Sequence, residues 1–230
     1  MCVKLVRWNE LPSDLQVDII KEYYDIIYNK RKTLRIKRLF DIVLSFILLI
    51  ILFPVFLVIS IFIKIDSKGP VLFKQTRVTQ YGRRFEIYKF RTMVKDADKK
   101  GSQVTQNNDI RITSVGAKLR GLRLDELPQL INVFLGDMSF VGTRPEVPKY
   151  VSEYTNEMKA TLLLPAGITS LASIKYKDEA KLLADSNDIN KTYIDIILPE
   201  KMKYNLEAIK GFSFWSDIKT MINTIIAILN

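Results

Sequence analysis

No histidine occurs anywhere in the 230 residues. Its absence removes the commonest general base, the commonest zinc ligand and every nucleophile that depends on a Ser-His or Cys-His pair. Cysteine is nearly absent too. The single one, Cys2, stands next to Met1, so neither a disulfide framework nor a thiolate metal cluster can be built. Acidic residues number 25 against 35 lysines and arginines, a formal charge of +10. That surplus calls for an anionic partner, whether nucleic acid, membrane lipid or a phosphorylated substrate. Repeats and low-complexity tracts are also missing. Chemistry is left to carboxylates, lysines, arginines, hydroxyls or an oxygen-bound metal, in a chain long enough for one domain with appendages.

Long apolar sequence, in contrast, is present. Ile42 to Ile63 runs for 22 residues without a charge. As a straight helix it would reach roughly 33 Å, enough to cross a bilayer. Two features favour a re-entrant hairpin over a single-pass span. Pro54 sits near the middle, where it removes a backbone hydrogen bond and disfavours helical geometry at Phe53. Both flanks are basic: Lys30, Arg31, Lys32, Arg35, Lys37 and Arg38 before, Lys64, Lys68, Lys74 and Arg77 after. The positive-inside rule places both on the cytoplasmic side. A nucleic-acid arm would not explain the apolar run beside it. No cleavable signal peptide is expected, since the run starts near residue 39 and no small-residue cleavage site follows.

The fold expected is α+β: a mainly helical membrane-associated domain with a Pro-broken re-entrant helix, a small β-hairpin and amphipathic interfacial helices. Residues 1–33 form an accessory segment, where Leu15, Ile19, Ile20, Tyr23, Tyr24 and Ile27 make an apolar stripe lying on the bilayer or on the core. Residues 34–66 form the membrane hairpin, 67–174 the core, and 175–230 a loop with amphipathic helices. Strands at Val71–Val78 and Phe85–Met93 pair through Thr79-Gln80-Tyr81-Gly82. Period two puts Lys89 and Arg91 on one face, suited to phosphate or to plain solvation. Residues 95–109 read as a loop and Ser114–Gly121 as a short helix supplying Lys118, Arg120 and Arg123 just ahead of the acid pair. Pro165-Ala166-Gly167 reads as a turn, and Pro199 opens a helix to about Ile209. From Phe212 to Leu229 one wide apolar face suits either a core helix or an interfacial one.

Leu124 to Pro145, LDELPQLINVFLGDMSFVGTRP, concentrates the chemistry. Adjacent acids, Asp125 and Glu126, open a short helix ended by Gly136, with Asp125 as its N-cap. A capping role alone would account for them; so would a phosphate site beside an acid pair. An aspartate, with an ordinary pKa of about 3.9, is an anionic nucleophile that needs no general base. Its approach to a phosphate is opposed by about 4 kcal/mol for charges about 4 Å apart at an effective dielectric near 20. Positive charge must therefore be local. Glu126 with Mg²⁺ and Arg144 in the constrained Gly142-Thr143-Arg144-Pro145 turn would supply it.

This stretch, with KFRTM at Lys89–Met93, KRLFD at Lys37–Asp41 and the Pro54-broken run, closely resembles the bacterial sugar transferases, the small monotopic polyprenol-phosphate phosphoglycosyl transferases. The resemblance runs from about Lys37 to Ile174 and more loosely to the C-terminus. It implies transfer of a sugar 1-phosphate from a UDP-sugar to polyprenyl (undecaprenyl) phosphate, with release of UMP, at the cytoplasmic face of the bacterial inner membrane, starting a surface glycan. It further implies Asp125 as the nucleophile that becomes a phosphosugar-aspartate, Glu126 as the Mg²⁺ ligand with Asp125 beside it, and Arg144, in its turn with Pro145, as the phosphate contact. Pro54 would be the break in the membrane helix, with Lys89 and Arg91 at phosphate. The chain departs from the family pattern at Phe53, Thr143, Ala166, Ser170 and Val78-Thr79, none of them a proposed catalytic position. A non-catalytic basic peripheral protein that recruits glycan-assembly enzymes would also explain the charge and the apolar segments. It would leave the acid pair beside an arginine turn as coincidence. The donor sugar, whose specificity would lie in loops near residues 95–110 and 175–195, is left open.

Overall fold

The computed structural model describes residues 5–97, 109–177, 179 and 188–229. Helices α1 (Asp18–Asn29), α2 (Arg31–Ile51) and α3 (Phe53–Asp66) lead into the strands β1 (Leu72–Val78) and β2 (Arg84–Phe90). Helices α4 (Ser114–Gly121) and α5 (Gln129–Leu135) follow, then β3 (Met138–Val141), α6 (Pro148–Val151), β4 (Ala166–Thr169) and α7 (Leu171–Lys175). Next come α8 (Ile189–Thr192), a π-turn over Tyr193–Ile197, α9 (Leu198–Lys210) and α10 (Phe214–Leu229). The class is α+β, as the sequence leads one to expect.

Helix α2 is built inside out. Its buried side carries Lys37, Arg38, Asp41 and Ser45, while Ile36, Leu39, Val43, Phe46 and Ile50 are exposed; Asp41 is 2% exposed and Leu39 63%. The KRLFD sequence explains the inversion, because each polar residue fastens a different element. Lys37 Nζ donates to Asp217 Oδ2 at 2.5 Å, tying α2 to α10. Arg38 donates to the carbonyls of Val133 and Phe134 at 2.6 and 2.9 Å, capping the C-terminal end of α5, where free carbonyls and the helix dipole favour a cation. Asp41 faces the backbone N–H of Phe140 on β3 at 3.4 Å. The helix begins at Arg31, so the basic run forms its first turns and not a preceding segment.

The break falls at Leu52, one residue earlier than Phe53. Leu52 caps both helices, Pro54 occupies the first turn of α3, and the two axes meet at 59°. Proline has no N–H to give to the Ile50 carbonyl and its ring crowds that carbonyl, which enforces the bend. Among the described residues no single helix is long and apolar enough to cross a membrane; α2 and α3 reach that composition only as the bent pair.

The accessory segment lies on the core. Leu15, Ile20, Tyr23 and Ile27 are almost fully buried against Leu163, Leu198 and Met202, so α1 packs on α9. At about 1.5–3 kcal/mol for each fully buried aliphatic side chain, this docking is substantial. A second cluster joins Phe85 and Ile87 of β2 to Leu130 and Val133 of α5, Met138 and Phe140 of β3, and the inner leucines of α2.

The β1–β2 hairpin is antiparallel, with Leu72 opposite Phe90 and Val78 opposite Arg84. A second sheet pairs β3 with β4 in parallel, Met138 with Ala166 and Val141 with Thr169. Ala166-Gly167 therefore lies in a strand and does not form the expected turn. Of the loops considered for sugar specificity, residues 98–108 and 180–187 lie outside the described residues, and the end of the second, from Ile189, belongs to α8 and the π-turn. Helix α10 leaves Trp215 77% exposed, with Ile222, Ile225 and Ile226 also outward, while Met221 packs on the second cluster and Phe214 meets Phe40 edge-on, so its apolar face is divided between core and surface.

Candidate active site

The acid pair does not cap α5. Arg123 takes the left-handed conformation (φ 55°), and the chain turns there into a single 3-10 turn, Leu124–Glu126, ahead of the helix. Helix α5 is capped at Pro128 without a side-chain bond. The turn is held against β2 by Asn132, whose side chain is fully buried and behaves like a neighbouring strand. Its Oδ1 accepts from the Tyr88 N–H at 3.0 Å and its Nδ2 donates to the Glu86 carbonyl at 2.8 Å. This registry brings Lys89 under the acids.

Asp125 and Glu126 have opposite surroundings. Glu126 accepts from Lys89 Nζ at 2.8 Å, and Arg144 grips both its oxygens, Nη2 on Oε1 and Nη1 on Oε2 at 3.3 Å. Burial pushes the Glu126 carboxyl up, but Arg144 and Lys89 outweigh it and hold it well below the usual carboxylate range. Asp125 is buried, and its side chain makes no hydrogen bond or ion pair among the described residues. Burial raises its carboxyl; Lys89 and, less strongly, Arg120 and Arg144 work against the rise, while Glu126 adds to it. Lys89 is itself pulled below the ordinary lysine range by burial, against the pull of Glu126. Arg120 reaches this corner on α4, with its Nε donating to Thr92 Oγ1 at 2.8 Å. The pair thus divides into a locked carboxylate and an unengaged one.

Arg144 is aimed by a turn fastened on two sides. The Gly142 N–H donates to the Thr169 carbonyl at 3.0 Å and the Gly167 N–H to the Thr143 carbonyl at 2.9 Å. Backbones approach so closely that a Cβ on Gly167 would meet Gly142 N at 2.1 Å. On the other side, Arg77 Nη1 donates to the Pro145 carbonyl at 3.1 Å and the Val78 N–H to the Glu146 carbonyl at 3.0 Å. Glu146 anchors a buried network that motif reading missed. Its Oε1 accepts from Tyr193 Oη at 2.5 Å, and Lys201 reaches both Tyr193 Oη and Glu179 Oε2, at 3.1 and 2.9 Å. Its members come from positions 146 to 201, so spacing gives no cue; the acid following Arg144-Pro145 is the one local signal.

Arg91 stands apart from Lys89. The period-two pattern ends with β2 at Phe90, and the Arg91 guanidinium turns to the C-terminal end of α3, donating to the Ser67 carbonyl at 2.6 Å and Ser67 Oγ at 2.9 Å. Gly69 leaves room for it: a Cβ there would lie 2.2 Å from Arg91 Nη1. The structure brings Asp125, Glu126, Lys89 and Arg144 together, puts Pro145 in the turn that aims Arg144, sets Arg91 against the C-terminal end of α3, and puts Pro54 in the first turn of α3.

A groove of about 460 Å³ opens beside Glu126 and Arg144. A more enclosed cavity of about 220 Å³ lies away from Asp125, beside Lys37, Asp41 and Asp217. Among the described residues no group of three or more acidic or cysteine side chains converges. Both oxygens of Glu126 are taken by Arg144 and Lys89, so of the two carboxylates it is Asp125 that is left open to a cation; an ion such as Mg²⁺, which can take a single protein carboxylate and leave its other positions to water and phosphates, would have that one donor here.

The family model for bacterial sugar transferases matches residues 32–230. The chain is similar to a UDP-N-acetylgalactosamine-undecaprenyl-phosphate N-acetylgalactosaminephosphotransferase of Aeromonas hydrophila, 37% identical over 84% of this chain and 44% of the relative. It is similar to a UDP-glucose:undecaprenyl-phosphate glucose-1-phosphate transferase of Klebsiella pneumoniae, 38% identical over 82% of this chain and 39% of the relative. A third relative, of the same printed function in Caulobacter vibrioides, is 33% identical over 84% of this chain and 69% of its own length. The chain spans less than half the length of the Aeromonas and Klebsiella proteins.

Proposed function

The chain belongs to the bacterial sugar transferase family, and from that premise we propose that it moves a sugar 1-phosphate from a UDP-sugar to polyprenyl phosphate and releases UMP. The observation that carries this reading is the unengaged carboxylate of Asp125 beside a Glu126 locked by Lys89 and Arg144. Relatives of nearly equal identity are named for N-acetylgalactosamine and for glucose. The reaction class is therefore the common element, and the sugar stays unassigned.

In the first step an Asp125 oxygen attacks the sugar-bearing phosphorus of the donor. The bond from that phosphorus to the bridging diphosphate oxygen breaks, UMP leaves with the electron pair, and a phosphosugar-aspartate remains. In the second step an oxygen of polyprenyl phosphate attacks the same phosphorus, the aspartyl oxygen–phosphorus bond breaks, and the Asp125 carboxylate is restored. Both nucleophiles are already anions, which suits a chain without histidine. Lys89, Arg120 and Arg144 offset the repulsion between anions and steady the charge on the transferring phosphoryl group. Glu126 holds these cations in place. Mg²⁺ would be held by Asp125 and, once Lys89 or Arg144 turns from it to a phosphate, by Glu126; the ion when bound would add Lewis-acid neutralisation of the diphosphate.

The membrane part of the reading rests on the inside-out α2, whose exposed apolar side and buried polar side suit lipid outside and protein inside. With Leu52 and Pro54 at its apex, the α2–α3 pair enters and returns to the cytoplasmic face, where both basic flanks meet anionic headgroups. The test is Mg²⁺-dependent UMP release from a panel of UDP-sugars, with polyprenyl phosphate, by the protein in nanodiscs. Release with at least one donor supports the transferase; none with any donor, on well-folded protein, moves the weight to a non-catalytic membrane scaffold.

A further inference from the structure

The groove beside Glu126 and Arg144 has a lining that is part charged and largely apolar. Leu127, Leu130, Phe140, Ile168, Ile174 and Ala227 form much of its wall. Its two threonine hydroxyls are spent within the protein: Thr224 Oγ1 donates to the Thr220 carbonyl at 2.8 Å and lies 2.7 Å from Thr169 Oγ1 in a hydrogen bond. That wall offers little to the polar edge of a nucleobase and much to hydrocarbon. A dry cavity of about 150 Å³ holds one benzene, so the groove's 460 Å³ has room for roughly three five-carbon units. Three cations line the groove. Arg144 is there, and Arg123 Nη2 reaches the Lys177 carbonyl at 3.3 Å while Lys177 Nζ reaches the Ala227 carbonyl at 3.4 Å.

Two further observations select the occupant. One wall of the groove is α10, whose outward side is the exposed apolar stripe of Trp215, Ile222, Ile225 and Ile226. A ligand resident in the bilayer could pass along α10 into the groove without crossing water. The other is Arg123, a side chain held at φ 55°, where glycine would sit without strain. A cation kept at a backbone cost of about 1–3 kcal/mol, at the mouth of an apolar groove, suits an anionic head on an apolar tail.

We propose that this groove receives the first isoprene units of the polyprenyl phosphate acceptor, with its phosphate among Arg123, Lys177 and Arg144, Arg123 standing two residues before Asp125 in the chain. The assignment rests on the transferase reading for the identity of the acceptor, and it deepens that reading by giving the acceptor a site bounded by α5, β4, α7 and α10. The donor then approaches Asp125 from the side of Lys89 and Arg120.

The experiment uses a polyprenyl phosphate carrying a photoreactive group on its second isoprene unit, in nanodiscs of the full chain. Labelling is expected on α7 and α10 peptides, competed by unlabelled polyprenyl phosphate and not by UDP-sugar. Arg123→Gly, which relieves the backbone strain while removing the cation, is expected to raise the KM for acceptor at least about tenfold, the scale of one charge-assisted hydrogen bond, without a matching rise for the donor. Ala227→Trp, which fills the groove from an accessible helix face, is expected to raise the acceptor KM about tenfold, equivalent to about two methylene contacts. Labelling confined to α2 and α3, competition by UDP-sugar, or a donor-only KM effect overturns the groove assignment. Absence of UMP release by the wild type, with labelling of α10 retained, would instead overturn the transferase reading and leave the groove standing.

Discussion

Arg144 and Glu126, eighteen residues apart, meet as a two-point pair: two guanidinium nitrogens on two carboxylate oxygens, with Lys89 sharing one of those oxygens. The geometry gives Glu126 a structural duty that its neighbour does not have. It keeps two cations beside Asp125 before any substrate arrives, which is the arrangement an anionic nucleophile needs to meet a phosphate.

Glu126→Gln removes the counter-charge of both cations. The expected cost is about 3 kcal/mol, the lower end for breaking an enclosed ion pair, because the Arg144 side chain keeps 31% of its surface exposed. The thermal midpoint in detergent should fall accordingly. Since the folded Glu126 carboxyl is held below its unfolded value, its contribution is present above the unfolded carboxyl pKa and is lost as pH falls through the folded one. The gap between wild-type and variant midpoints should therefore close toward acid pH. A gap independent of pH would contradict this assignment.

The rate of UMP release should have a narrowed pH optimum. Asp125 must be ionised to attack, and burial raises its carboxyl, so the rate climbs with pH through a value above the ordinary aspartate range. Lys89 must be charged, and burial lowers it, so the rate falls again below the ordinary lysine range. Lys89→Met removes a cation that holds the Asp125 carboxyl down. Its acid limb should move to higher pH, and an unmoved limb would separate Lys89 from Asp125.

Gly167→Ala tests the turn that aims Arg144. A methyl group there collides with the backbone of Gly142, for an overpacking cost of about 1–3 kcal/mol. A shift of Arg144 by about 1 Å should lower kcat about a hundredfold. A variant destabilised to that extent but fully active would show that the turn need not be rigid.

The fold of the α2–α3 pair in the membrane is checked by labelling. In a Cys2→Ser background, Lys32→Cys and Lys68→Cys should both react with a membrane-impermeant maleimide from the cytoplasmic side only. Reaction of Lys68→Cys from the opposite side would make the pair a full span.

How much of this was legible in the sequence depends on how local each feature is. Asp125, Glu126, Lys89 and Arg144 could be singled out because residue type, neighbours and order carried the signal before any contact was known. Arg91 could not be separated from Lys89, since period two cannot show that β2 ends at Phe90 and that Gly69 admits the guanidinium beside Ser67. The capping role expected of Asp125 failed because Arg123 adopts a left-handed conformation and inserts a 3-10 turn before α5. The β3–β4 pair was invisible for another reason: two four-residue strands joined in parallel show no alternation long enough to read. The network of Glu146, Tyr193, Lys201 and Glu179 depends wholly on tertiary folding. Pro54 marked the bend to within two residues because its chemistry acts on its own helix.

A covalent bond between Asp125 and phosphorus is measured directly by intact mass. The protein, incubated with Mg²⁺ and each UDP-sugar without acceptor, should gain the mass of one phosphosugar, and polyprenyl phosphate added afterwards should discharge it. In Asp125→Asn the adduct should be absent and turnover should fall on the order of 10⁴-fold, as for loss of a catalytic nucleophile. An Asp125→Asn protein that still gains the mass, or that turns over at the wild-type rate, would contradict the account.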